Sequence, residues 1–301
     1  MFQGFYQAPP EFAAQQQAAA WLGAQYPQLQ IFSLGESAAG RRIHAFGLGD
    51  LREAAVFVGG VHGMEWITTL LLYRLLEDLA RCQQTGEPLA EWEIGGILRH
   101  RSLVVIPCLN PDGVEIALYG AAAAGCYAPL VERLVGQSAP CRWQANARGV
   151  DLNHNFDAGH GKLRQMEIAA GITGPAPTRY GGESPHSEPE TQALAALCMA
   201  LHPRQAYAFH AQGEEIYYRY GPDTPPRSQL MGRVLASASG YRLADPVGLA
   251  SHGGFKDWFI QKLHRPAFTI EVGRGENPLP VEELGPLYAR LLELLLLAVL
   301  L

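Results

Sequence analysis

The stretch AAVFVGGVHGMEWITTLLLYRLLEDLA, residues 54–80, decides how the rest of the chain is read. A short apolar run ends in Gly59 and Gly60, His62 and Glu65 follow at H-x-x-E spacing, and an amphipathic run then begins. The pattern reads as strand, tight turn and first turn of a helix. Residues three apart on a helical turn share one face. An imidazole and a carboxylate so placed point at one spot and make half of a zinc site. With 10 histidines in the chain one such spacing also arises by accident, so its weight comes from its place at a strand-to-helix turn and from what lies downstream.

Working outward, residues 11–26 read as a helix closed by Pro27, and 30–34 and 42–47 as short strands around the turn ESAAGR. The helix after Glu65 continues through 70–79. LVVIPC, residues 103–108, is an apolar run of buried-strand type that ends in the turn signal LNPDG. Residues 187–201 read as a helix opened by an S-x-x-E capping box, Ser187 with Glu190, and by Pro189 in the first turn. Residues 206–210 form a short apolar strand ending on His210. Residues 229–239 and 255–263 read as helices, and AFTIEV, residues 267–272, as a buried strand carrying Glu271. The small-residue stretch 116–143 gives no clear element. The Gly-, Pro- and Ser-rich stretch 171–186 reads as a long surface loop of the functional or mobile kind. Strands alternating with helices argue an α/β fold, a central sheet flanked by helices, with ligands at the carboxyl ends of the strands. His62 and His210 both fall on that edge. No repeat or linker divides the chain, so one domain is expected over residues 1–301.

Composition narrows the partners. A chain of 301 residues, 48% hydrophobic and 17% charged, has ample core for a globular protein. A net charge of −6 gives no electrostatic reason to expect nucleic acid or an anionic membrane. The five cysteines, Cys82, Cys108, Cys126, Cys141 and Cys198, are odd in number and contain no C-x-x-C. They suggest neither a disulfide framework nor a cysteine zinc site, and favour a reducing compartment. No signal peptide is visible, so a cytoplasmic location is expected. LLELLLLAVLL near the C-terminus is interrupted by Glu293 and is shorter than the ~20 residues of a span, so it reads as a buried helix.

Three sets of residues can carry chemistry. His62, Glu65 and His210 make a two-histidine, one-carboxylate set, which leaves a fourth position for water as catalytic zinc sites do. His210 alone reads more readily as a core histidine bonded at a strand end. Glu271 sits between Ile270 and Val272. A carboxylate there is either a general base raised by desolvation or half of a buried salt bridge. Asp151, Asn153, His154 and Asn155 in GVDLNHNF offer substrate hydrogen bonds or an Asx-type turn.

Taken in order, HGME at 62–65, NPDG at 110–113, GVDLNHNFDAG at 149–159, the strand-end His210 and Glu271 in TIEVG resemble the zinc carboxypeptidases. The likeness covers roughly residues 25 to 300. It implies one zinc per chain bound by His62, Glu65 and His210, Glu271 as general base, and a mixed, mostly parallel sheet of about eight strands. HAQGEEIYY, RWQANARGVDLN, GGFKDWFI and EVGRGENPLP further resemble the bacterial γ-D-glutamyl-diaminopimelate peptidases of that family. That likeness implies a peptide substrate drawn from peptidoglycan stems.

The departures are informative. Family carboxypeptidases carry Asn-Arg where this chain has Asn153-His154, and that arginine clamps the substrate's terminal carboxylate. Histidine lacks the bidentate fork, so recognition there is expected to be weaker or to come from Arg179, Arg219 or Arg274. The family's oxyanion arginine falls at Gln144, with Arg148 nearby as a substitute. The family tyrosine that covers the substrate would fall near Leu249. The expected activity is therefore zinc-dependent hydrolysis of a γ-D-glutamyl bond in murein peptides. An ordinary metallocarboxypeptidase, an acyl-amino-acid hydrolase and a non-catalytic binder of cell-wall peptides are the competing readings.

Overall fold

Short, uniformly apolar runs build the centre of the sheet, because a strand covered on both faces has no polar side to show. The computed structural model describes residues 4–136 and 142–301, so Cys141 lies outside the described residues. Strand β3 (Ala55–Val58) and strand β4 (Leu103–Ile106) are buried at every position. So is β5 (Gln205–His210), while β8 (Ala267–Glu271) is buried until its last residue. With β1 (Gln30–Glu36), β2 (Arg42–Leu48), β6 (Glu215–Tyr217) and β7 (Arg242–Ala244) they form an eight-stranded sheet among the described residues, ordered β1-β2-β4-β3-β5-β8-β6-β7. The β3–β4, β3–β5, β5–β8 and β6–β7 pairs are parallel, and the other three are antiparallel. The sheet is mixed with a parallel centre, as expected.

Strand order decides where a ligand goes. β3 runs on to β4 on one side and its other neighbour β5 runs on to β6 on the far side, so the connections leave these two strands in opposite directions and open a crevice between their carboxyl ends. The chain leaves β3 there into a short 3₁₀ turn, Gly63–Glu65, and then α2 (Ile67–Thr85). Both sheet faces are covered. One core holds α2 and α10 (Leu284–Leu300), with Leu291, Leu294 and Leu295 fully enclosed. The other packs α7 (Pro189–Leu201) and α9 (Phe255–Leu263) against the reverse side. Each enclosed leucine contributes about 1.5–3 kcal/mol from burial, so the C-terminal leucine run is a core element.

The stretch without a clear sequence reading is described up to residue 136, and there it folds with the turn before it as three short helical pieces. These are α4 (Pro111–Tyr119), a 3₁₀ segment (Gly120–Tyr127) and α5 (Ala128–Val135). Together they make 25 residues apolar enough to span a membrane by length and composition. Gly125, however, departs from helical geometry at φ 58° and ψ −127°, and the pieces fold over Trp143, Ala145 and Ala147 as a small separate core. The expected capping box is absent. Glu188 is the N-cap of α7 and makes no side-chain cap. Ser187 donates to the Glu188 carboxylate at 2.9 Å, and Glu190 accepts from the Ala38 amide, also at 2.9 Å. A tertiary partner replaces the local one. Residues 171–186, read as a surface loop, are pinned from beneath by Asn155, whose amide donates to Gly181 O at 2.7 Å and to Ser187 Oγ at 2.9 Å.

Candidate active site

The carboxyl edge of the parallel strands gathers the chemistry. His62 follows β3, His210 ends β5 and Glu271 ends β8, with His210 and Glu271 paired directly across the two parallel strands. His62 Nδ1 lies 2.8 Å from Glu65 Oε1, and His210 Nδ1 lies 3.0 Å from Glu65 Oε2. The two histidine Nδ1 atoms face one another at 3.3 Å. Two imidazole nitrogens at that distance cannot both carry a proton toward the other. A cation between them removes the conflict. Bonds of about 2.0–2.1 Å around a tetrahedral zinc place neighbouring ligand atoms ~3.3 Å apart, so these three donors fit zinc.

Charge supports the same reading. Burial works against a charged Glu65, but His62 and the bond from His210 outweigh it and hold its pKa at about 2. Burial would also lower His62, yet the carboxylates of Glu65 and Asp151 together raise it well above the ordinary histidine value. A carboxylate kept ionised beside an imidazole raised in this way marks a place built for positive charge. Asp151 completes the unit. Its Oδ1 lies 3.1 Å from His62 Nε2 and its Oδ2 accepts the Arg179 amide at 2.9 Å. A carboxylate behind a ligand histidine fixes the ring and its tautomer. The same Asp151 Oδ1 accepts the Asn153 amide at 3.1 Å. The Asx turn and the orienting role are therefore one arrangement, and Asp151 faces a ligand histidine instead of offering itself to substrate.

Two glycines make the metal turn possible. A Cβ on Gly63 would stand 2.1 Å from Gly113 O, and one on Gly113 would stand 2.4 Å from Asn110 Nδ2 and 2.6 Å from Ala145 O. Asn110 is the clamp at this crossing. Its Oδ1 caps the Gly113 amide at 2.8 Å, and its Nδ2 donates to Val61 O, Gln144 O and Ala145 O at 3.0–3.2 Å. The HGME and NPDG motifs thus touch at their glycines.

Glu271 is the partly open residue of its strand. Burial first, and the Glu65 carboxylate second, raise its pKa to about 8 against the pull of His62. Two carboxyl groups in one site with pKa values pushed this far apart have different tasks. Beside Glu271 a cavity of about 40 Å³ is lined by Asn153, Tyr217, Lys256, Asp257 and Thr269.

The other sequence candidates separate. Asn153 lines that cavity and accepts the Phe255 amide through Oδ1 at 3.1 Å. Gln144 accepts the Gly63 amide through its backbone oxygen at 3.1 Å, which puts it against the metal turn. Its side-chain oxygen accepts from the Thr178 hydroxyl. His154 is buried, with Nδ1 3.1 Å from Arg179 O and 3.3 Å from Glu167 Oε1. Burial lowers its pKa, but Asp151 and Glu167 outweigh this and raise it. Arg148 is drawn elsewhere, donating to the Tyr127 hydroxyl at 3.0 Å and lying 3.8 Å from Glu188. Arg274 pairs with Glu214 at 2.6 Å and is largely exposed. Sequence reasoning assigned no task to Glu167, Lys256 or Asp257. Glu167 lies on α6 (His160–Ala169), a helix with little apolar pattern to announce it. Lys256 and Asp257 stand inside a stretch whose helical period spoke only of packing.

The zinc carboxypeptidase family profile matches residues 16–293. The chain is 33% identical over 276 residues to γ-D-glutamyl-L-diamino acid endopeptidase 1 of Lysinibacillus sphaericus, covering 90% of this chain and 67% of that protein. It is 28% identical over 211 residues to murein peptide amidase A of Escherichia coli K12, covering 69% of this chain and 66% of that protein. The chain therefore spans about two thirds of the length of these curated relatives. In fold it resembles bovine thrombin-activatable fibrinolysis inhibitor, with a TM-score of 0.74, 18% identity and 98% of each chain covered. A buried two-histidine, one-carboxylate centre at the switch point of this sheet, together with a profile match over most of the length, places the chain in the zinc carboxypeptidase family, as a zinc metallopeptidase with His62, Glu65 and His210 as its metal-binding triad.

Proposed function

We propose that this chain hydrolyses the amide bond between γ-linked D-glutamate and a diamino acid in murein peptides, with one zinc ion per chain. The likeness to the Lysinibacillus sphaericus endopeptidase along most of the chain carries the bond assignment. His154 in place of a clamping arginine agrees with it, because a buried imidazole engaged by Glu167 and Arg179 O has no fork to offer a terminal carboxylate.

Zinc, when bound, polarises a carbonyl and makes water acidic enough to attack near neutral pH. The chain's own groups do the rest. Asp151 keeps the His62 ring turned so that Nδ1 faces the triad. Glu271 takes the proton of the attacking water at its carboxylate and returns it to the leaving amine. Its desolvated position makes it basic enough for the first transfer, and the partial opening at the strand end lets it reach both partners. Gln144, whose backbone oxygen meets the metal turn at Gly63, is the donor for the developing oxyanion. Its side-chain oxygen is taken by Thr178, which leaves its amide N–H groups to give, whereas Arg148 is held by Tyr127 and Glu188.

The test is turnover of L-Ala-γ-D-Glu-meso-diaminopimelate by the zinc-loaded protein, followed by mass spectrometry beside Glu271→Gln. Release of diaminopimelate, reduced ~10³-fold or more in the variant at unchanged zinc content, is the expected result. Zinc-loaded protein that leaves this peptide intact but trims α-linked peptides or N-acyl amino acids would sink the bond assignment. Zinc binding with no turnover of any of them would point to a binding domain.

A further inference from the structure

The edge of the sheet opposite the metal carries a row of arginines. Arg101 stands two residues before β4, Arg204 one before β5 and Arg265 two before β8. These strands and β3 run parallel, so their amino ends share one edge. The order β4-β3-β5-β8 spreads the three positions over three strand spacings, about 14 Å. A fourth, Arg227, opens helix α8 (Arg227–Ser239) and donates to Arg204 O at 3.1 Å. Backbone carbonyls hold the other three as well. Arg101 donates to Leu300 O at 2.8 Å, Arg204 to Glu53 O at 2.9 Å and to Val299 O, and Arg265 to His202 O. Among the described residues, the carboxylate side chain that pairs with any of them is that of Glu53, 3.7 Å from Arg265 and itself largely exposed. Burial first, then the charges of Arg101 and Arg227, lower the pKa of Arg204 to about 10, so these guanidiniums feel one another.

Helix capping accounts for part of this row. Arg101 and Arg204 meet the last carbonyls of α10, and Arg265 meets His202 O just past α7. A helix end carries about half a negative charge, so two ends and one carboxylate leave about two of the four positive charges unanswered. They stand out in a chain whose net charge is −6. One small anion cannot touch charges spread along the whole edge, but a repeating anion can. A protein partner needs an apolar or aromatic centre to its interface, and a single-stranded nucleic acid needs aromatic platforms for its bases. Among the described residues the largely exposed aromatic is Tyr119, at the end of α4, where it donates to Glu11. Leu230, exposed one turn along α8, is a single apolar side chain. We propose that the amino edge of the sheet, through Arg101, Arg204, Arg227 and Arg265, binds a base-free phosphodiester polymer, a chain of polyol phosphates. Each phosphate accepts the planar fork of a guanidinium. The polymer leaves the cleft at the opposite edge open to substrate, and the inference does not depend on which bond that cleft cuts.

Calorimetric titration of the zinc-loaded protein with a short poly(glycerol phosphate) tests this without turnover. Saturable binding is expected, weakened about 20- to 50-fold between about 50 and 200 mM salt, as three or four phosphate contacts require. The double variant Arg101→Gln, Arg227→Gln removes two of those contacts from exposed side chains. It should bind about 10- to 100-fold more weakly at the lower salt and lose about half of the salt dependence. Arg227→Glu, a change at one exposed side chain, is the second variant should the double one melt early, and it too should weaken binding about 10-fold or more. Monomeric glycerol phosphate, poly-L-glutamate, an oligothymidylate and phosphatidylglycerol vesicles are titrated beside the polymer. They stand for a lone phosphate, an acidic polypeptide, a nucleic acid and an anionic membrane. No saturable binding of the polymer, binding undiminished in a folded variant, or any of these four bound as tightly as the polymer overturns the proposal.

Discussion

The two walls of the cleft are built on opposite terms. On the metal side, buried strand ends and one 3₁₀ turn hold His62, Glu65 and His210, and the supporting bonds join residues far apart in sequence: Asp151 to His62, Asn110 to Val61 and Ala145, Gln144 O to Gly63. Beside Glu271, Lys256 and Asp257 are buried as an ion pair of sequence neighbours, and Pro246, Ala250 and Gly254 line the same cavity. The first wall is held by long-range bonds and the second by a local pair. The difference teaches where change is affordable. Long-range bonds fix reaction chemistry and punish alteration, whereas a local pair can be exchanged as a unit.

The contrast breaks most visibly at the metal. Removal of zinc by a chelator, or His210→Ala, is expected to abolish hydrolysis and lower the melting temperature of the chelated protein toward that of the variant. Three ligand side chains left to one another are a poor substitute for a cation whose binding adds to folding free energy. Equal melting temperatures with and without zinc would show that the triad is not holding the ion.

A smaller effect sharpens it. Asp151→Asn keeps an acceptor for His62 but removes the charge, and zinc affinity is expected to fall about 10- to 100-fold. Competition against a zinc indicator reads this directly. An unchanged affinity would mean that the Asx turn is the whole of Asp151's contribution.

The smallest effect concerns the ground beneath the metal wall. Burial raises the pKa of Glu190 to about 8, with Asp112 and Glu188 adding to it against hydrogen bonds from backbone amides. Its folded-state pKa lies above its unfolded value of about 4.5. The folded protein therefore holds a proton that the unfolded chain has lost, and stability falls as pH rises from about 4.5 to 8. Glu190→Gln removes this part. The melting temperature of the variant relative to wild type should climb by a few degrees between pH 5 and pH 8. Parallel curves would place the proton elsewhere.

The parallel centre and the metal triad were legible because both rest on local pattern: continuous apolar runs for strands, and a three-residue spacing at a strand-to-helix turn. β6 and β7 were not, since three residues are too few for a period, and they find their places by pairing, β6 with β8 and β7 with β6. The apparent capping box failed for a related reason. Glu190 satisfies the local motif in sequence, but the Ala38 amide, far away along the chain, claims its carboxylate first. Arg148 followed the same logic, since nearness in sequence to Gln144 did not decide which hydroxyl or carboxylate its guanidinium would meet. Local rules found the strand ends. The bonds between distant residues that hold them together had to be seen folded.

The crossing of Gly63 over Gly113 carries a lesson for anyone who would redesign this protein. Because a Cβ at either position collides with a neighbouring backbone oxygen, the two motifs behave as a single heritable unit. A combinatorial library that randomises one glycine alone should return glycine from nearly every active clone. Grafting the metal turn onto another scaffold will succeed only if the second loop, with its asparagine, travels with it.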